Sequence, residues 1–298
     1  MNKICAIVVT YNRINLLKEC ITSILSQSLP VDIMIIDNAS TDGTKAELKD
    51  WILRKEIIYY NTKKNLGGAG GFYYGVKKAV LLSYEYVWLM DDDTLPVNDT
   101  VEQLYKAACE LDNHFGFLAS TVFFNENELC QMNRPGISRQ WYSMKKYYCL
   151  KKGLINLEYA SFVSLLIRAD VIKNVGLPLK DFFIWNDDYE FTTRISKVYD
   201  NYLVCNSIVI HNMKENKMAN ILVDSPDRIE RHFYGYRNAF YVAKRDGKKY
   251  VVKYILLILE LLHKIIFSSI DLKWKRCHIV IKGVFAGIIF NPQIEYLD

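Results

Sequence analysis

Three adjacent carboxylates, Asp91, Asp92 and Asp93, follow the apolar run YVWLM at 86–90. Two like charges ~4 Å apart repel by about 4 kcal/mol at an effective dielectric of 20, so an Asp triplet closing a buried strand calls for a cation. Hard carboxylate oxygens favour Mg2+ or Mn2+, ions that commonly bridge to substrate phosphates. A solvated acidic turn is the plain alternative, and the apolar run ahead of the triplet favours the metal. His211 also stands just beyond an apolar run, 203–210. Its imidazole suits Mn2+, although a strand-end His taken alone reads as a structural hydrogen-bonder. A second acidic group, Asp187, Asp188 and Glu190, lies beside Trp185 and Tyr189. A carboxylate in aromatic surroundings gains the raised pKa that suits a general base, and the Trp185 ring offers a face on which a sugar stacks. Acidic residues also favour helix N-termini, and the two readings are compatible.

Asn65 to Phe72 reads NLGGAGGF, with four glycines. The dinucleotide fingerprint G-x-G-x-x-G fails, because Gly68 and Gly70 are followed by Tyr73 where the third Gly belongs, and the Lys of a phosphate-binding P-loop is missing. The segment suits close backbone approach to a ligand ahead of a helix N-terminus, or a plain flexible turn.

The elements that must position these residues alternate. Apolar runs at 4–9, 33–36, 57–60 and 86–90 read as buried strands, and helical spacing fills the intervals, for example at Leu17, Cys20, Ile21 and Ile24. Such β-α-β-α-β-α-β order implies a mostly parallel, Rossmann-like sheet covered by helices, with ligands at the carboxyl ends of its strands. Thr10 to Arg13, Asp37 to Asp42 and the Asp triplet all fall at such ends. Further strands are expected at 162–167 and 203–210, with a turn at 175–178.

A net charge of +5 over 298 residues, with no concentrated basic face, does not suggest a nucleic-acid binder. Seven cysteines without C-x-x-C spacing read as reduced thiols in the cytoplasm and argue against zinc. The short apolar run at the N-terminus is no signal peptide. From about 216 the alternation stops. Residues 251–270 are strongly apolar but interrupted by Lys253, Glu260, His263 and Lys264. That pattern fits an amphipathic helix on a membrane or on the main domain better than a full span.

The ordered series AIVVTYNR, IIDNASTDGT, NLGGAGGF, WLMDDDT, FFIWNDDYEF and the strand-end His211 resembles the inverting GT-A glycosyltransferases of family two, especially bacterial galactofuranosyltransferases and rhamnosyltransferases. The resemblance covers about residues 3–215. It implies a GT-A catalytic domain over 1–215 and a helical, membrane-associating extension over 216–298. It also implies a donor site made of Thr10, Tyr11, Asn12, Arg13, Asp37, Asn38, Asn65, Gly67, Gly68 and Asp92 for a UDP- or dTDP-sugar. Asp91, Asp93 and His211 match the ligands of Mn2+ or Mg2+, and Asp188 matches the catalytic base. Trp185 and Asp187 fall on the acceptor side. Asn186 departs from relatives that often carry Gly there, which bears on the acceptor. Tyr236-Arg237-Asn238 and the basic, apolar C-terminal helices resemble members acting on lipid-linked glycans, so a glycan or glycolipid acceptor and peripheral contact with the inner membrane face are expected. A nucleotidyltransferase fits less well, because Thr10 to Arg13 is not its usual Gly-rich basic loop. A non-catalytic glycan-binding relative has no need of a base at Asp188.

Overall fold

Period-two burial in one short strand sets the layering of the molecule. In the computed structural model, which describes residues 3–139 and 144–297, β1 (Ile4–Thr10) is buried along its whole length. Successive strand side chains point to opposite faces. Cys5, Ile7 and Val9 therefore join one apolar cluster, and Ile4, Ala6 and Val8 join another. Helix α1 (Ile14–Leu25) covers the second face with Leu17, Cys20, Ile21 and Ile24, the stripe that its sequence spacing predicts. Each such side chain, fully buried, contributes roughly 1.5–3 kcal/mol.

The expected alternation continues through β2 (Asp32–Asp37), the short α2 (Thr44–Glu47) and α3 (Lys49–Leu53), β3 (Ile58–Asn61), α4 (Gly67–Leu81) and β4 (Tyr86–Asp91). These four strands are parallel. Their register pairs Thr10 with Asp37, Val9 with Asp91 and Asp37 with Asn61. The carboxyl ends are thus level, and the polar motifs share one edge.

The rest of the sheet departs from the mostly parallel expectation. After β5 (Thr94–Pro96), α5 (Thr100–Glu110), β6 (Phe117–Asn125), β7 (Glu128–Leu129), β8 (Gly136–Ile137), α6 (Met144–Lys151) and β9 (Leu154–Tyr159) comes β10 (Leu165–Arg168). β10 runs antiparallel between β4 and β6. Helix α7 (Ala169–Val175), helix α8 (Asp187–Ser196) and β11 (Tyr202–His211) follow. β11 is parallel to β6 but antiparallel to β9 and β5. The sheet is therefore mixed, in the order β3-β2-β1-β4-β10-β6-β11-β9-β8. Antiparallel neighbours need no helical crossover, so strand–helix alternation in the sequence carries no information about them.

Three helices, α9 (His232–Asp246), α10 (Lys248–Phe267) and α11 (Lys273–Ile289), gather a separate apolar cluster around Ile229, Ile258, Ile265 and Val280. Tyr241 and Val242 of α9 pack on Ala69, Leu179 and Phe182. Among the described residues no helix is long and apolar enough to cross a membrane.

Candidate active site

β4 ends on Asp91, and the turn that follows carries Asp92 and Asp93. β5 then pairs with β11 so that Thr94 faces His211. This ladder closes a gap of more than a hundred residues in sequence and sets His211 Nε2 3.0 Å from Asp93 Oδ1. The ligand atoms of Asp91, Asp93 and His211 all lie within 4.8 Å of one another, as a metal site requires. On the other side of the ring, His211 Nδ1 meets Asn133 Oδ1 at 2.7 Å. Asn133 Nδ2 donates to Ser161 Oγ at 2.9 Å, which fixes the amide so that its oxygen faces the histidine. Nδ1 thus carries the proton, and Nε2 turns toward the carboxylates.

The electrostatics state the same need for positive charge. Burial first, and then the charge of Asp93, push Asp91 up to about 7. Asp92 rises to about 6, by burial that Arg13 only partly offsets. Asp93 is held below its ordinary value, because His211 and Arg13 outweigh its burial. His211 rises to about 10: burial alone would lower it, and the hydrogen bond to Asp93 wins. The half-buried Asp91, the buried Asp93 and an oriented imidazole fit a hard or borderline divalent cation. Arg13 Nη1 reaches Asp92 and Asp93 at 2.8 and 2.7 Å, and Thr10 Oγ1 donates to Asp92 at 2.7 Å. Asp92 is thus engaged by the first strand and its turn.

The residues at the β1 and β2 ends form a continuous polar rim. Asn12, at positive φ, donates its N–H to Ser40 Oγ and accepts from the Thr41 N–H. Tyr11 is exposed. Asp37 is buried and accepts from Ser40 N–H, Asn61 and the Tyr59 hydroxyl. Asn38 Nδ2 donates to Gly67 O at 2.9 Å, and Asn65 Oδ1 accepts from Gly67 N–H at 2.8 Å. The glycines lie inside the first turns of α4. Gly67 has φ +71, and a Cβ there would meet Phe183 O at 2.0 Å. A Cβ on Gly71 would meet Val9 at 2.4 Å, whereas at Gly68 it would meet open space. Close packing within the protein accounts for Gly67 and Gly71, and Gly68 remains open to a ligand.

α8 presents the second acidic group on its first turn, with Asp187 buried and Asp188 half-buried. Burial raises Asp188 to about 6, and its Oδ1 accepts from the Tyr189 N–H at 2.7 Å. Asp187 is pushed well above its ordinary value by burial, then by Asp188 and by Asp91. The charge of Asp91 contributes to that rise, so the two acidic groups lie within electrostatic reach of each other. Glu190 is committed elsewhere, to Arg194 and Arg245 at 2.9 Å each. The Trp185 ring stands 4.9 Å from that of His232. Sequence reasoning missed Asn133 and the two arginines on Glu190. Asn133 lies 78 residues from its histidine, and no local pattern marks it.

The family profile described as Glycosyl transferase family 2 matches residues 5–176. The chain is 25% identical over 272 residues to galactofuranosyltransferase GlfT1 of Mycolicibacterium smegmatis, covering 82% of this chain and 84% of that protein. It is 35% identical over 97 residues to abequosyltransferase RfbV of Salmonella typhimurium, covering 31% of this chain and 28% of that protein. Among solved structures, GalNAc-T7 with UDP, GalNAc and Mn2+ is similar at a TM-score of 0.58 and 13% identity, over 84% of this chain and 53% of that one. S. aureus TarS 1-349 in complex with UDP-GlcNAc is similar at 0.56 and 16%, over 95% and 73%. These likenesses show the GT-A fold.

Proposed function

The chain belongs to glycosyl transferase family 2, and on that premise we propose that it moves a hexose, galactofuranose from UDP-galactofuranose, onto a lipid-linked or growing cell-surface glycan with inversion of configuration. The observation that carries this reading is the convergence of the Asp91, Asp93 and His211 ligand atoms within 4.8 Å, in electrostatic reach of Asp187 beside Asp188. The 25% identity to a galactofuranosyltransferase across 82% of the chain supports the choice of sugar. Asp188 takes the proton of the acceptor hydroxyl as that oxygen attacks the anomeric carbon opposite the leaving nucleotide. Trp185 and Asp187 orient the acceptor. Thr10, Tyr11, Asn12, Arg13, Asp37, Asn38, Asn65, Gly67, Gly68 and Asp92 surround the donor nucleotide. Asp91, Asp93 and His211 would hold Mn2+ or Mg2+, whose charge offsets that of the departing diphosphate.

The motif resemblance to rhamnosyltransferases gives a second reading of the donor, dTDP-rhamnose. A panel of UDP- and dTDP-sugars, assayed for nucleotide release with Mn2+ and after chelation, decides. Metal-dependent release from UDP-galactofuranose is expected. Release from dTDP-rhamnose alone transfers the reading to that donor, and neither turnover nor nucleotide binding would sink the enzyme.

In our division residues 1–215 are catalytic and 216–298 form an extension that rests on the inner face of the cell membrane from the cytoplasmic side. Leu256, Leu259, Phe267, Trp274, Phe285 and Ile289 are exposed on α10 and α11, interleaved with Lys253, Lys264, Lys275 and Lys282. Apolar side chains enter an interface while lysines meet anionic headgroups. Replacing Trp274 and Phe285 by Ser should lower co-flotation with vesicles containing phosphatidylglycerol; unchanged flotation removes the membrane reading.

A further inference from the structure

The segment 181–186, which leads into Asp187 and Asp188, has a backbone that its own residues do not favour. Phe183, Trp185 and Asn186 have φ of 66°, 65° and 64°. A bulky residue at positive φ is an outlier that persists only where its surroundings impose it. Here the surroundings are two adjacent side chains of α9. Asn238 is fully buried, and its Nδ2 donates to Phe182 O, Ile184 O and Trp185 O at 2.9, 3.1 and 2.9 Å. Its Oδ1 accepts from Arg237 Nε and Nη2 at 3.0 and 2.9 Å. Arg237 Nη2 also donates to Asp181 O at 2.7 Å and Phe182 O at 3.0 Å. Asn186 Nδ2 returns a bond to Gly235 O at 3.2 Å, and a Cβ on Gly235 would stand 3.0 Å from the Trp185 ring. Phe183 O also accepts from the Ala69 N–H in the glycine segment at 3.2 Å.

We propose that Arg237 and Asn238 are positioning residues for the proton-accepting carboxylate. Gripping the carbonyls of 181, 182, 184 and 185, they set the angle at which α8 presents Asp188 to the acceptor. The proposal rests on the reading of Asp188 as base. It makes α9, outside the half of the chain that carries the nucleotide motifs, a working part of the acceptor side. Without the amide donors the buried carbonyls lose their partners, and the segment relaxes toward ordinary φ, carrying Trp185 and Asp188 with it.

Asn238→Asp keeps the side-chain volume and removes both N–H donors. The assay is nucleotide release from the sugar donor selected by the panel, with octyl galactoside as acceptor, alongside UDP binding by calorimetry. A displacement of about 1 Å lowers kcat on the order of 100-fold, while UDP affinity and donor KM stay within about twofold and the acid limb of the kcat profile shifts. Amides 183–189 should exchange hydrogen faster while those of β1 and β4 do not. Arg237→Lys keeps part of the grip and gives a smaller loss in the same direction, and it decides the matter where Asn238→Asp does not fold. Unchanged kcat and exchange, or a fall in UDP affinity equal to the fall in kcat, overturns the proposal. Asp188→Asn in the same assay separates the two ideas: normal transfer removes the base reading itself, whereas a dead Asp188→Asn beside an unimpaired Asn238→Asp removes only the grip.

Discussion

The two acidic groups lie within electrostatic reach of each other, yet the protein treats Asp93 and Asp188 in opposite ways. Asp92 and Asp93 have partners: Arg13 bridges them, Thr10 donates to Asp92, and His211 Nε2 stands 3.0 Å from Asp93. Asp187 and Asp188 have no cationic partner among the described residues, and the Asp188 side chain accepts from the Tyr189 N–H. Asp93, with a cation and an imidazole beside it, is held below its ordinary value and suits a fixed site for a metal ion. Uncompensated buried carboxylates hold protons more tightly and suit proton transfer. The same residue type thus serves two tasks, and the difference lies in what the fold packs beside it. Glu190 gives an internal control, since it is two residues from Asp188 but locked between two arginines.

Removing the uncompensated carboxylate tests the comparison most severely. Asp188→Asn keeps the shape and abolishes the proton acceptor, so transfer should fall on the order of 10²–10⁴-fold. UDP binding by calorimetry should stay within about twofold, because the donor-side partners are untouched. Normal transfer would leave the second acidic group without a chemical role.

Glu190→Gln should behave in the reverse manner. It leaves the charges of Arg194 and Arg245 without their buried counter-charge, and breaking such a pair costs about 3–5 kcal/mol. Denaturant melting should show that loss, while the folded variant keeps a base at Asp188 and transfers sugar at a rate close to the parent. A large loss of transfer with unchanged stability would put the proton acceptor at Glu190.

On the compensated side the informative change lies one step from the metal candidates. Asn133→Ala removes the acceptor that orients His211 Nδ1. Loss of such a partner typically weakens metal affinity 10–100-fold. A titration of Mn2+ against the purified protein should show a shift of that size. An unchanged titration would mean that His211 needs no such support or does not ligate.

Much of the site was legible because parallel strands place their carboxyl ends at one edge, and apolar runs reveal where strands end. Thr10, Asp37 and Asp91 could be grouped for that reason, and the register pairs Thr10 with Asp37 and its neighbour Val9 with Asp91. The mixed half of the sheet was not legible. β10 holds only four residues, and pairing in the opposite direction leaves no periodic mark in the chain. The glycines were read as space for a ligand, but Gly67 makes room for Phe183 O. That is a contact between distant segments which local composition cannot express. Asn133, Asn238 and Arg245 share this property: each acts through tertiary neighbours far along the chain.

The pH response should separate the two groups with the smallest but most direct effect. Asp188 accepts a proton only when ionised, and burial raises its carboxyl from 3.8 to about 6. Activity should therefore fall about tenfold per unit as pH drops below about 6. Stability moves the other way. A carboxyl whose folded value is raised binds protons more tightly in the folded state. Its contribution is fully present below 3.8 and is lost as pH rises through about 6. Without added cation, Asp188→Asn should then match the parent in stability near pH 4. It should exceed the parent at pH 7 by on the order of 1–2 kcal/mol, reduced from the full shift because the carboxyl is only half-buried. Paired denaturation curves at the two pH values measure this directly. A variant less stable than the parent at pH 7 would show that the ionised Asp188 has a cationic partner after all, and the contrast between the two acidic groups would fail on that point.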